Sequence, residues 1–97
     1  MEKRDYFIIL YDFYSTLFTD KQKEYFEDYY FNNLSLAEIG ENIGISRNAV
    51  HKSIKLIEKK LIFYEDNLSL YKKNIKLNEI IERISDDDIK KELERLL

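Results

Sequence analysis

The stretch SLAEIGENIGISRNAVHKSIK, residues 35–55, contains the start and stop signals of two closely linked helices. Ser35 and Glu38 form a capping-box pattern that opens the first helix, and Gly44 supplies the left-handed backbone that ends it. Ser46 is a favourable N-cap for the second helix. Because the connection is so short, the two helices must cross steeply, as in a helix-turn-helix.

The apolar positions of this stretch predict how its two helices pack. The residues expected to meet between them are Ile39, Ile43, Ile45, Val50 and Ile54. Gly40 is small at the point where the two helices would approach most closely. The alternative interpretation is an ordinary helical corner that binds no nucleic acid.

The second helix of the motif would be the recognition helix of a nucleic-acid-binding protein. Its candidate nucleic-acid-binding residues are Arg47, Asn48, His51, Lys52, Lys55 and Lys59. Arg47 and Asn48 lie near the helix start and have the chemistry for bidentate contacts to guanine and adenine. The lysines suit phosphates, although lysines on a solvated helix face would look the same.

Charge is unevenly distributed along the chain. The formal net charge is −3, which opposes non-specific affinity for nucleic acid. Residues 47–60, however, carry five Lys or Arg and one Glu, whereas residues 19–42 carry two Lys and six acids. The basic one of these two segments therefore coincides with the predicted recognition helix.

Aromatic residues are concentrated near the N-terminus, where 11 of the 14 Phe and Tyr lie between Tyr6 and Phe31. The stripe of the first helix, within residues 4–18, consists of Phe7, Leu10, Tyr14 and Leu17. A capping box at Thr19 and Gln22 predicts a second helix that ends at Asn32–Asn33. We expect these aromatic side chains to build most of the core or part of an interface.

The fourth helix continues well beyond the motif. Its heptad seam consists of Val50, Ile54, Ile57, Leu61, Tyr64, Leu68, Tyr71 and Ile75. Asn67 and Ser69 predict a break or kink midway, and Ser85 is the expected cap of a last helix over residues 86–97. We therefore divide the chain into a helix-turn-helix domain, 1–64, and a C-terminal helical extension, 65–97.

The length of the seam favours a homodimer formed through the C-terminal helices, because a helix-turn-helix does not need so long a stripe. The alternative is a monomer in which the first helix covers the seam.

Composition excludes several classes of protein. The absence of proline and the presence of only two glycines leave few turns for a sheet, so the prediction is all-α. With no cysteine and only one histidine, we expect no metal site and no cofactor, and nothing resembles an active site. No apolar run approaches the roughly 20 residues of a membrane span, and no secretion signal is recognisable. The expected location is the cytoplasm.

The blocks YDFY, FTDKQ, YY, SLAEI and ISRNAV occur in the same order as in a known family. Over residues 6–75 the chain resembles the YlxM family of small bacterial helix-turn-helix proteins. The resemblance implies an all-α helical bundle with a helix-turn-helix similar to region four of sigma factors, followed by a long C-terminal helix or helix pair.

The resemblance also implies a regulatory role in the signal recognition particle pathway, with the RNA or the GTPase of that particle as a partner. Two interpretations of the function follow. One is a non-enzymatic regulator that binds DNA or the particle's RNA. The other is a protein-interaction module that binds the GTPase or itself and binds no nucleic acid.

Overall fold

A computed structural model describes all residues, 1–97, and confirms the all-α prediction. The six helices are α1 (Lys3–Tyr14), α2 (Asp20–Tyr30), α3 (Leu36–Ile43), α4 (Arg47–Leu68), α5 (Leu70–Glu82) and α6 (Asp87–Glu94). Helices α3 and α4 form the helix-turn-helix, and α1 and α2 pack against α4. None of the helices is both long and apolar enough to cross a membrane.

The two predicted capping boxes are present. The Thr19 hydroxyl accepts a hydrogen bond from the Gln22 amide at 3.2 Å, and the Gln22 side chain accepts one from the Thr19 amide at 3.0 Å. Ser35 and Glu38 make the same reciprocal pair at 3.1 and 3.0 Å. These bonds satisfy amides that the first turn of a helix would otherwise leave unpaired, so they fix where α2 and α3 begin.

Two details of the predicted helices are wrong. The first helix ends at Tyr14 and tightens into a 3-10 turn, so Leu17 is 52% exposed instead of completing the stripe. The cap of the last helix is Asp86, not Ser85, because the Asp86 carboxylate accepts bonds from the amides of Asp88 and Ile89 at 2.9 and 3.1 Å. A carboxylate at this position also interacts favourably with the helix dipole.

The core is aromatic, as the clustering of Phe and Tyr indicated. The buried aromatic side chains are Phe7, Tyr11, Tyr14, Phe18, Tyr25, Phe26 and Tyr30. The ring of Phe26 stacks on Tyr11 and on Tyr30, with centroids 4.1 and 4.3 Å away. Each such pair contributes about 0.5–1.5 kcal/mol beyond the area it buries. Helices α1 and α2 are therefore the framework that holds α4.

The predicted break in the long helix lies at Ser69, which adopts left-handed backbone angles between α4 and α5. After the break, Tyr71 packs on Tyr6 and Phe13 of α1, with ring centroids 6.1 and 5.9 Å apart. Helix α1 thus covers the seam at Tyr71, but Leu68 and Ile75 remain 45% and 42% exposed. The molecule is elongated, measuring 55 × 25 × 23 Å.

Candidate nucleic-acid interface

The turn between α3 and α4 has the geometry that its glycines predicted. Gly44 adopts the left-handed conformation, with φ 85° and ψ 31°. The amides of Gly44 and Ile45 both donate to the Gly40 carbonyl, at 2.8 and 3.0 Å, which closes the end of α3. A Cβ atom at residue 40 would lie only 2.6 Å from the carbonyl oxygen of Ile45. Gly40 therefore allows the close approach that orients α4.

Helix α4 begins with its apolar side turned toward the rest of the motif. The Ser46 hydroxyl caps it by accepting a bond from the Ala49 amide at 3.1 Å. Val50, Ile54 and Ile57 are at most 2% exposed. This burial confirms the predicted register of the helix-turn-helix and leaves the opposite side of α4 for solvent or a ligand.

All six candidate residues are exposed on α4, as predicted: Arg47, Asn48, His51, Lys52, Lys55 and Lys59. Because successive helical residues are rotated by about 100°, the six occupy about 140° of the helix circumference. Arg47 and Asn48 lie in the first turn, where a recognition helix usually meets base edges. The structure thus brings the predicted residues together on one face.

The charges of this face are mostly unpaired. Lys55 forms an ion pair with Glu58, with 3.2 Å between the ammonium nitrogen and a carboxylate oxygen. No carboxylate lies within 4.0 Å of the charged groups of Arg47, Lys52 or Lys59. The acidic residues of α2 therefore do not neutralise the basic face by direct contact, and three of its four cations are available to an anion.

The sequence did not predict that two glutamates of α4 are buried. Glu58 and Glu65 are each only 8% exposed and contact aromatic side chains. Glu58 accepts a hydrogen bond from the Tyr30 hydroxyl, and Glu65 accepts one from the Tyr14 hydroxyl at 2.6 Å. The two glutamates are seven residues apart and each directly follows a seam position. This seven-residue spacing could have indicated the two glutamates, because the buried tyrosine hydroxyls of α1 and α2 need hydrogen-bond acceptors.

Glu65 also organises the start of α5. Its two carboxylate oxygens accept bonds from the amides of Tyr71 and Lys72, both at 3.1 Å. The Tyr14 hydroxyl accepts a third bond from the Leu70 amide, at 3.0 Å. Ser69, whose left-handed backbone precedes α5, makes no capping bond with its side chain. Burial and the bond to Glu65 raise the pKa of Tyr14 to about 12.

A similar polar contact joins α1 to the end of α2. The Arg4 guanidinium donates to the carbonyl oxygens of Tyr29 and Tyr30, at 3.1 and 2.9 Å, and to the side chain of Asn33 at 3.0 Å. It also lies over the Tyr30 ring, 4.8 Å from the centroid. Cations at a helix C-terminus are favourable, so Arg4 stabilises the packing of α1 against the end of α2.

Comparison with known proteins agrees with this geometry. The profile of the UPF0122 family, described as "Putative helix-turn-helix protein, YlxM / p13 like", matches residues 1–97. The UPF0122 protein TTE1463 of Caldanaerobacter subterraneus subsp. tengcongensis is 49% identical over 78 residues, 80% of this chain and 67% of that protein. The UPF0122 protein of Lactococcus lactis subsp. cremoris is 44% identical over 84 residues, 87% and 76% of the two chains. The UPF0122 protein UPA3_0148 of Ureaplasma parvum serovar 3 is 42% identical over 91 residues, which are 94% of this chain and 92% of that protein.

Proposed function

This chain belongs to the UPF0122 family of YlxM / p13-like helix-turn-helix proteins, and from that premise we propose that it is a regulatory protein that binds duplex DNA through α4. The observation that carries the proposal is the exposed polar face of α4, whose Arg47, Lys52 and Lys59 have no acidic partner. It is the solvent face of the second helix of a helix-turn-helix, the helix that such proteins place in the major groove.

The six residues of this face divide into two roles by chemistry. Arg47 offers a planar fork for the two major-groove acceptors of guanine, and Asn48 can pair with adenine. His51 is a further polar contact beside them. Lys52, Lys55 and Lys59 are point charges for backbone phosphates, and these fix position without reading sequence.

Duplex DNA suits this face better than duplex RNA. The major groove of B-DNA, about 12 Å wide, admits an α-helix, whereas that of A-form RNA is deep and too narrow for side chains to read. Few cations are available and the net charge is −3, so we expect modest affinity that falls steeply with salt. Binding to the RNA of the signal recognition particle is the competing outcome.

We place this activity in the cytoplasm, as non-catalytic regulation of the signal recognition particle pathway. The support for the pathway is the resemblance to the YlxM proteins, and the support for regulation is the helix-turn-helix itself. We propose that residues 1–64 bind the nucleic acid and that residues 65–97 serve interaction.

A protein-interaction role is the second candidate, and the exposed apolar side chains of the C-terminal extension favour it. Those exposed by more than a third on this extension are Leu68, Leu70, Ile75, Leu77, Ile80, Ile89, Leu96 and Leu97. Such a concentration of apolar surface is typical of a protein contact. A second copy of the chain is our preferred partner, and the GTPase of the signal recognition particle is the other.

Fluorescence anisotropy with labelled duplex DNA and with signal recognition particle RNA, each at two salt concentrations, tests the proposal. We expect the double variant Lys52→Ala, Lys59→Ala, which removes the two lysines of this face without an acidic partner, to weaken DNA binding on every sequence and to lower the salt slope by about two units. The matched control is Lys72→Ala, Lys73→Ala, which removes two exposed lysines from α5. DNA binding that is equally reduced by the control, or tighter binding to the RNA, would contradict the proposal.

A further inference from the structure

A cationic cleft lies between the first two turns of α1 and the middle of α4. It has a volume of about 320 Å³ and is lined by Lys3, Phe7, Lys55, Glu58, Lys59 and Ile62. We propose that this cleft, which we call the Lys3 cleft, binds a backbone phosphate of the nucleic acid on which α4 docks. The inference rests on the proposed function and adds α1 to the binding surface.

The free charge of the Lys3 cleft comes from Lys3 and Lys59, which are exposed and have no acidic partner. Glu58 is the one carboxylate in the lining, and it is already occupied by the Tyr30 hydroxyl and the Lys55 ammonium. The Lys3 ammonium lies 5.8 Å from the centroid of the Phe7 ring, which holds it above the cleft by a cation–π contact. The cleft therefore presents two ammonium groups without an acidic partner, beside a carboxylate whose two oxygens each already accept a hydrogen bond.

The chemistry of the lining favours a phosphodiester over a base or a nucleoside. Phe7 is only 4% exposed, so its ring offers almost no surface on which a base could stack. Arg4, the residue after Lys3, does not line this cleft and directs its Nη2 group to the carbonyls at the end of α2. What remains is a pair of flexible ammonium groups, which bind phosphate as point charges without directional demand.

The position of the cleft along α4 fits the backbone that flanks a groove. Lys59 lies 12 residues beyond Arg47, which at 1.5 Å per residue is about 18 Å along the helix axis. A major groove is about 12 Å wide, so a cation at this distance has passed the base edges and reaches the sugar-phosphate strand. Lys3 extends the same contact from α1, an element that carries no part of the helix-turn-helix.

The test uses anisotropy titrations of the full chain with labelled duplex DNA over a range of salt. We expect Lys3→Gln and Lys59→Gln each to weaken binding about eightfold at 0.1 M salt, equally on all sequences, and to lower the salt slope by about one unit. Lys73→Gln on α5 is the matched control and should change neither quantity. A DNA-binding wild type whose affinity falls with Lys52→Gln and Lys59→Gln but not with Lys3→Gln would overturn this inference alone, because Lys59 also belongs to the proposed binding face of α4.

A wild type that binds no nucleic acid would instead remove the proposed function, and this inference with it. A second measurement identifies the ligand by recording NMR shifts of the Lys3 and Ile62 amides. We expect a short DNA duplex to move them at micromolar concentration and inorganic phosphate to move them only at much higher concentration. Equal response to inorganic phosphate, or a stronger response to a polyglutamate peptide than to the duplex, would overturn the phosphodiester assignment.

Discussion

The Tyr14 hydroxyl donates a 2.6 Å hydrogen bond to the buried carboxylate of Glu65, 51 residues further along the chain. The same carboxylate caps α5 by accepting a hydrogen bond from the Tyr71 amide, and the same hydroxyl accepts one from the Leu70 amide. The direction in which α5 leaves α4 is therefore set by a side chain of α1. Through this pair, the helix that builds the core also fixes the position of the C-terminal extension.

The first prediction concerns this pair. Tyr14→Phe keeps the ring but removes one of the three hydrogen bonds that the Glu65 carboxylate accepts and leaves the Leu70 amide without its partner, so we expect the free energy of unfolding to fall by about 1–3 kcal/mol. Tyr25→Phe is the matched control, since Tyr25 is also buried but its hydroxyl makes no hydrogen bond within the protein. Urea denaturation with an unchanged m-value measures both. Equal losses in the two variants would show that the Tyr14–Glu65 bond contributes nothing specific.

The second prediction is a loss of stability in alkali. The pKa of Tyr14 is about 12 in the folded chain, against 10.0 ordinarily, and the pKa values of Tyr11 and Tyr30 are raised above their usual range by burial and by bonds to Glu27 and Glu58. Because the folded state favours the protonated phenols, their stabilisation is complete below pH 10 and is lost as the pH rises toward 12. Denaturation midpoints from pH 8 to 11.5 should fall, and should fall less in Tyr14→Phe. A flat profile would contradict the raised pKa values.

The helix-turn-helix could be predicted because its signals are local. A capping box acts over three residues, and the left-handed angle at Gly44 is required by the turn that contains it. The register of α4 followed from the spacing of its apolar residues, which also predicts that Arg47 and Lys52 lie on the solvent-exposed side of the helix. Features of this kind depend on neighbours in sequence, so the sequence alone is sufficient to recognise them.

The Lys3 cleft and the tyrosine–glutamate pairs could not be predicted in the same way. Lys3 and Lys59 become neighbours only after α1 packs on α4, and the sequence separation of Tyr14 and Glu65 hides their bond. The exposure of Leu17 was missed for another reason, since the chain tightens into a 3-10 turn after Tyr14. Periodicity extended the stripe by one residue too many because it contains no information about where a helix stops.

The third prediction tests the close approach at Gly40. Gly40→Val places a branched side chain against the Ile45 carbonyl, where even a Cβ atom would lie at 2.6 Å, so α3 and α4 must move apart. We expect a loss of about 1–3 kcal/mol in the free energy of unfolding, typical of overpacking. Ala37→Val, on the exposed side of α3, is the control for a β-branched side chain in this helix; because valine has a higher helix propensity than glycine, propensity alone would stabilise Gly40→Val. If both variants lose the same amount by thermal or urea denaturation, the crossing is not tightly packed.

The fourth prediction separates base reading from phosphate binding. Arg47→Ala should reduce the preference for a selected DNA site over a site with a changed guanine by about 1–3 kcal/mol, because a bidentate contact is lost. Lys52→Ala should weaken both sites equally and leave the preference intact. Competition titrations on a site found by in vitro selection measure both effects. A preference that survives Arg47→Ala would remove this residue from the base-reading set.

The last prediction concerns assembly through the C-terminal extension. Residues 70–78 carry three lysines and no acid, whereas residues 79–88 carry five acids and one arginine. Two extensions aligned antiparallel would place the basic part of each against the acidic part of the other. They would also cover Leu77 and Ile80, which are 44% and 37% exposed in the single chain. A self-complementary stripe of this kind closes with two-fold symmetry, so we expect a homodimer.

Sedimentation equilibrium at micromolar concentration measures this directly, with an expected mass of twice 11.8 kDa. Leu77→Lys should shift the mass to that of the monomer, because it places a charge in the apolar stripe. Since residue 77 is already partly exposed, this change should leave helix content by circular dichroism unaltered. Leu17→Lys, at a comparably exposed leucine outside the extension, should leave the dimer intact. A wild-type mass of 11.8 kDa at every concentration rejects the dimer, and a dimer that survives Leu77→Lys rejects this interface, because the stripe cannot bury a lysine without a counter-charge.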